Sequence, residues 1–96
     1  MNKTTEDSII DLLVEIPLGD WYISDDVVGY ECKINGKTII ASPSHGNNLP
    51  YFYIDRTVFG NEKGAKYISS LHTYMRKVEE VAKQEEAEKL YKQLKG

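Results

Sequence analysis

The chain has 96 residues, an apolar content of 41% and a formal net charge of −3. These values predict one small folded domain, and no apolar run approaches the roughly 18–20 residues that a membrane-spanning helix needs. Residues 1–60 carry nine acids and four bases, whereas residues 61–96 carry six acids and eight bases. Nucleic acid binding requires clustered Lys and Arg, so this distribution argues against a nucleic acid partner.

The cysteine content and the first residues favour a cytoplasmic location. Residues 1–7 contain no hydrophobic signal segment. Cys32 is the only cysteine, so it cannot form an internal disulfide, and a reducing compartment fits best.

The first element in chain order is a short helix. Thr4 or Thr5 can cap it, and Pro17 disfavours helical geometry at the preceding residue, so the helix is expected to end near Glu15. Apolar residues at steps of three and four residues predict one buried stripe. That stripe consists of Ile9, Leu12, Leu13 and Ile16.

A hairpin provides the clearest local signal. A short strand at 21–23 is followed by the turn-prone pair Asp25-Asp26, and then Asn35-Gly36 separates two longer strands at 27–34 and 37–42. A two-residue type I′ turn at that pair fixes the register between the strands. The predicted pairs are Ile34 with Lys37, Cys32 with Ile39, and Tyr30 with Ala41, which places the thiol of Cys32 on the apolar face.

Two further strands and a long helix complete the chain. The stretch 43–50 is a loop by composition, 51–54 is a strand, and 57–59 is a brief fourth strand after the hairpin. Asn61 can cap a helix that continues to the end of the chain. The fold class is therefore α+β, in the order α-β-β-β-(β)-α, with a small antiparallel sheet covered on one face by helices.

The predicted long helix is longer than the diameter of the domain to which it belongs. It would run about 50 Å, whereas a domain of this size is roughly 35 Å across. Its first part is predicted to pack on the sheet to about Ala82, and residues 83–96 form a separate arm, either continuous with the first part or broken near 83–86. The packed stripe is Ile68, Leu71, Met75, Val78 and Ala82; the arm carries an out-of-phase stripe of Ala87, Leu90, Tyr91 and Leu94.

The residues whose side chains could take part in catalysis or bind a metal do not form a catalytic or metal-binding pattern. His45 follows a serine, but adjacency in sequence does not establish a triad, and a solvated turn histidine explains it better. His72 fits the edge of the core, and the Asp20, Asp25 and Asp26 cluster lacks the spacing of a calcium loop. The sequence therefore predicts no enzyme, no metal and no cofactor.

Two sets of residues are candidates for binding. Tyr51 and Tyr53 share one strand face near Arg56, and they form either a contact surface or a solvated tyrosine face. With the arm residues Leu90, Tyr91 and Leu94, they would bind a protein partner or a second copy of the chain. The alternative is an oligomer that sequesters a small anionic ligand, such as a nucleotide, through Arg56, Lys63, Lys66 and Tyr67.

The central part of the chain resembles small accessory proteins of bacteriophages and prophages. The resemblance rests on three runs: Gly19-Asp20-Trp21, the hairpin from Tyr30 to Ile40, and Tyr53-Ile54-Asp55. It covers roughly 40 residues and carries over no functional residue. What it implies is a protein that binds and blocks a host factor, or an assembly module, rather than a catalyst.

Overall fold

The computed structural model of the chain describes residues 4–24, 28–43 and 49–96. The predictions for Asp25, Asp26, Val27 and His45 lie outside these residues. The architecture is α+β, as the sequence predicts. Its elements are α1 (Thr5–Leu13), a 3-10 turn (Leu18–Asp20), β1 (Tyr22–Ile23), β2 (Tyr30–Ile34), β3 (Lys37–Ser42), β4 (Tyr51–Ile54), β5 (Thr57–Phe59) and α2 (Glu62–Lys95).

The five strands form one antiparallel sheet in the order β1-β2-β3-β4-β5. The predicted hairpin register is confirmed at all three pairs, from Ile34 opposite Lys37 to Tyr30 opposite Ala41. Asn35 and Gly36 both have positive φ, at 51° and 78°, as a type I′ turn requires. Two strands are shorter than predicted: β2 begins at Tyr30, and β1 does not include Trp21.

Both helices cover the same face of the sheet, which we call the inner face. Phe52 and Ala41 on this face are fully buried, together with Ile10 of α1 and Ile68 and Leu71 of α2. The opposite side, the outer face, has no helix on it within the described residues. Strand alternation places on it Glu31, Lys33, Thr38, Ile40, Tyr51 and Tyr53.

The buried stripe of α1 differs from the predicted one. Thr4 caps the helix through its hydroxyl, as expected. Leu12, however, is 73% exposed, and Ile10 is buried in its place. The cause is a close helix contact: Gly64 has no side chain, and a Cβ there would lie 3.3 Å from Ile10 and 3.2 Å from Phe52. The glycine admits Ile10 between α2 and the sheet, and this rotates Leu12 outward.

The long helix α2 is continuous from Glu62 to Lys95, so no break occurs near 83–86. Asn61 caps it, since its side-chain oxygen accepts the backbone N–H of Gly64 at 2.8 Å. Burial ends at Met75 and not at Ala82, and every residue from 76 to 96 is exposed. The buried part of the helix, 14 residues from Glu62 to Met75, is about 21 Å long. A six-residue strand is roughly 20 Å long, so the length of the sheet accounts for the length of the buried part. The molecule accordingly measures 66 × 30 × 22 Å.

An aromatic cluster joins α2 to the sheet and to the segment after α1. Trp21 stacks on Phe52 with ring centroids 6.2 Å apart, and its indole N–H donates to the Tyr67 hydroxyl at 2.9 Å. Tyr67 in turn donates to the carbonyl of Ile16. Burial is the main cause that raises the pKa of Tyr67, and the hydrogen bond from Trp21 opposes it.

Replacing Tyr67 with Phe is expected to lower the free energy of unfolding by about 1–3 kcal/mol, because the Trp21 N–H and the Ile16 carbonyl lose their partner. The raised pKa means that the folded state favours the neutral phenol. The contribution of the neutral phenol to the free energy of unfolding is complete below the ordinary pKa of 10.0. It is lost as pH rises through the folded pKa. Urea titrations between pH 8 and pH 11 should therefore show a shallower alkaline loss in the variant.

The control for this prediction is Tyr53→Phe, which removes a hydroxyl from the exposed outer face. It should change the free energy of unfolding by less than about 0.5 kcal/mol. An equal loss in both variants would contradict the role of the Tyr67 hydrogen bonds.

Candidate functional site: the outer sheet face and the helical arm

The outer face carries an uninterrupted row of side chains, one from each strand. The register pairs Tyr22 with Glu31, Glu31 with Ile40, Ile40 with Tyr53, and Tyr53 with Val58. Four of the five are apolar or aromatic, and Val58 is 54% exposed. A sheet face that turns to water in a monomer is normally mostly polar, so this row is unusual.

A groove of about 300 Å³ lies on this face beside the row. Ile40 and Tyr53 belong to both features, and exposed Val28 closes one end. Tyr51, paired with Ser42 across β3 and β4, completes the lining. The structure thus brings together the predicted residues Tyr51 and Tyr53, and adds Val28 and Ile40, which the sequence did not single out.

One polar contact shapes the β1 edge of the row. The Tyr22 hydroxyl donates to a carboxylate oxygen of Glu31, and this hydrogen bond is the main cause that raises the pKa of Tyr22. The Glu31 charge is thereby held on the outer face, next to the apolar residues. The surface combines an apolar centre with a negative group at its edge.

Arg56, the third residue of the predicted contact, lies apart from the groove. Asp55 and Arg56 form the tight β4–β5 turn, with φ of 48° and 66°. This turn is at the Lys37 end of the sheet, where Lys37 contacts Asp55 at 2.6 Å. The groove lies toward the opposite end, at Ser42 and Tyr51. Arg56 therefore does not line the groove.

The arm, residues 83–96, presents the second candidate surface. Leu90, Tyr91 and Leu94 are 56%, 63% and 79% exposed, and Ala87 precedes them by one helical turn. Successive helix residues are rotated by about 100°, so this stripe lies roughly a third of a turn from the buried stripe. The ammonium of Lys95 lies 5.8 Å from the ring centre of Tyr91.

Another apolar patch occurs where α2 extends beyond the sheet. Tyr74, Val78 and Val81, with Lys77, line a space of about 320 Å³. By the same rotation, this patch lies on roughly the opposite side of the helix from the arm stripe. The sequence analysis assigned Val78 to the core and did not single out Tyr74 or Val81.

Two of the four residues of the anionic-ligand alternative, Lys63 and Tyr67, have partners inside the molecule. Lys63 pairs with Asp11 at 2.8 Å, and Tyr67 belongs to the buried aromatic cluster. The backbone N–H of Gly60 donates to Glu6, and the Asn61 amide donates to Asp7 at 2.8 Å. The chain's own carboxylates thus occupy the positive end of α2, and an anion would have to displace them.

His72 lies at the edge of the core, where the sequence placed it. Its Nδ1 is 2.6 Å from the hydroxyl of Tyr30. Within the described part of the chain, no three His, Cys, Asp or Glu side chains are grouped so that they could hold a metal ion. None of the described helices combines the length and apolar content needed to cross a membrane.

Searches against protein-family models, curated proteins and solved structures found no match. The features that bear on function are therefore the exposed apolar surfaces on the outer face and along the exposed part of α2.

Proposed function

We propose that the chain is a non-catalytic binding protein, which holds a protein partner through its outer sheet face and its helical arm. It would act as an inhibitor of a host protein or as an assembly module, as the resemblance to phage accessory proteins implies. A reducing, cytoplasmic setting belongs to this proposal, since Cys32 is a free, buried thiol whose pKa is raised by burial.

One observation carries the proposal: α2 extends for 20 residues beyond its last buried residue, Met75, over about 30 Å. Most of the stability of helices in proteins comes from packing of an amphipathic face, and this exposed segment packs on no part of its own described domain. Leu90, Tyr91 and Leu94 on the arm lie on one side of it, as an interface helix requires.

Replacing Leu90, Tyr91 and Leu94 together with Gln is expected to abolish capture of partner proteins while leaving the fold intact. These side chains are exposed, so the free energy of unfolding should change by less than about 1 kcal/mol. Capture by immobilised protein, followed by mass spectrometry, would be compared between the variant and the parent chain.

A matched control replaces three polar residues of the same arm, Glu85, Glu88 and Lys92, with Gln. These lie on the other side of the helix from the apolar stripe, so partner capture should be retained. Identical capture by the parent chain and the apolar-stripe variant would overturn the proposal.

A further inference from the structure

The outer face and the arm are complementary in kind. In the part of the chain that the structure describes, the sheet has helices on its inner face only, and no sheet packs against the amphipathic arm. Packing a helix on a sheet face is the ordinary way in which both bury their apolar sides. Each surface thus lacks what the other provides.

The arm cannot reach the outer face of its own sheet. The helix α2 is continuous through residue 95, and it packs on the inner face up to Met75. Folding back around the sheet edge would require a break between the two parts, and the structure has none. Within the described residues, the chain therefore cannot cover its own outer face with its own arm.

Pairing of two arms with each other accounts poorly for the apolar positions. The patch at Tyr74, Val78 and Val81 and the stripe at Leu90 and Leu94 lie on roughly opposite sides of α2. A single straight partner helix can contact only one of them. Each covers about two turns, which is shorter than the three to four heptads of a stable coiled coil.

We infer that the outer sheet face is the docking site for the arm of a second copy of this chain. This inference rests on the proposed binding function and names its partner. The 14 residues of the arm span about 21 Å, and the six residues of β3 span about 20 Å, so the helix and the sheet face match in length. Leu90 and Leu94 would enter the groove between Val28 and Tyr53.

The distribution of charge favours the same contact. Residues 1–75 carry ten acids and six bases, whereas residues 89–96 carry three lysines and no acid. On the outer face itself, Glu31 lies beside Ile40 of the groove and Lys33 lies two residues further along the same strand, so the attraction comes from the acidic body as a whole. A lysine-bearing helix end approaching an acidic body is attracted, and the rim charges orient the contact.

The expected interface area indicates that each chain docks its arm on the outer face of the other. A helix about 10 Å wide lying on about 20 Å of sheet covers roughly 200 Å², or about 400 Å² over both surfaces. A two-fold axis repeats the contact and gives about 800 Å², and interdigitating side chains raise the accessible area that is lost. This area is below the roughly 1,200–2,000 Å² of stable specific interfaces and falls among weak, transient contacts, so the dimer should be weak and exchangeable.

The first measurement is sedimentation equilibrium of the full chain from about 1 µM to about 500 µM, where a weak dimer should appear. Val28→Lys with Tyr53→Lys on the outer face should weaken dimerisation at least about tenfold by repelling the lysine-bearing arm. The Leu90, Tyr91 and Leu94 to Gln variant should do the same. A parent chain that stays monomeric at the highest concentration overturns the inference.

The second measurement identifies which surfaces touch. Chains with Val28→Cys and chains with Leu94→Cys are mixed and oxidised mildly; the buried thiol of Cys32 stays unreactive. A disulfide joining positions 28 and 94 should form at least about tenfold faster than a 94–94 or 28–28 disulfide. Ser70→Cys, exposed on the body of α2, replaces Val28→Cys as the control and should cross-link poorly to the Leu94→Cys chain.

The two failures are distinguishable. A dominant 94–94 disulfide means that arms pair with each other, and a dominant 28–28 disulfide means that outer faces pair; either result overturns the inference. A monomeric parent chain that still captures another protein through its arm retains the proposed function and removes the second copy as its partner.

Discussion

Replacing Phe52 with Ala is expected to lower the free energy of unfolding by about 3–5 kcal/mol. Phe52 is fully buried on β4, where it stacks on Trp21 and lies 6.1 Å from the ring centre of Tyr67. Gly64 approaches it closely from α2. Two helices and the sheet meet at this ring, so the surrounding structure cannot collapse into the cavity without losing other contacts.

The matched control is Tyr53→Ala, one residue further along the same strand and on the opposite face. It should cost less than about 1.5 kcal/mol, because Tyr53 is 36% exposed and no helix packs on it. Urea denaturation at constant pH would measure both variants. Tyr53→Ala should instead weaken dimerisation. Of two adjacent residues, Phe52 should therefore affect mainly the free energy of unfolding and Tyr53 mainly the association of two chains. Equal losses of stability would contradict the assignment of the inner and outer faces.

The hairpin shows what the sequence can determine. Asn35-Gly36 selects a two-residue turn, and the turn alone sets which residues of β2 and β3 face each other. The same local reasoning predicted a cap at Thr4 or Thr5, of which the structure shows Thr4, and a cap at Asn61. These features depend on residues within a few positions of one another, so no knowledge of distant contacts is needed.

The errors arose where a distant contact decides the outcome. Ile9, Ile10, Leu12 and Leu13 permit two stripes on α1, and only the close approach of Gly64 selects the one containing Ile10. The end of burial on α2 depends on how far the sheet extends, which periodicity does not encode. The apolar periodicity of α2 continues to Ala82, although Met75 is the last buried residue of the helix.

The candidate site was predicted in part for the same reason. The alternation of β4 places Tyr51 and Tyr53 on one face, and the helix length indicated an exposed arm. The row from Tyr22 to Val58 requires the register of all five strands, and the hairpin turn provides it for only two of them. Tyr67 was a ligand candidate by sequence; its bond to Trp21, 46 residues earlier, makes it a core residue.

Replacing Gly29 with Ala is expected to lower the free energy of unfolding by about 2–3 kcal/mol. A Cβ at this position would lie 2.7 Å from the backbone carbonyl oxygen of Ala41 on β3. A flexible side chain could move aside, but the backbone of Ala41 is paired with strands on both sides, opposite Tyr30 and Phe52, and cannot. The entry to β2 would have to shift, which would disturb the backbone bond from Ser24 to Gly29 as well.

Two other glycines separate the steric cost from the conformational one. Gly36 has a positive φ of 78° and open space around it, so Gly36→Ala should cost only about 1–2 kcal/mol of backbone strain. At Gly19 a Cβ would meet only the Tyr74 hydroxyl at an ordinary 3.6 Å, and Gly19→Ala should be neutral within about 0.5 kcal/mol. Urea denaturation of the three variants gives the order directly. Gly29 adjoins Val28 at the groove, so Gly29→Ala should also impair dimerisation, whereas Gly19→Ala should leave dimerisation unchanged. If Gly29→Ala does not change the free energy of unfolding, β2 and β3 are not held as closely as the structure shows.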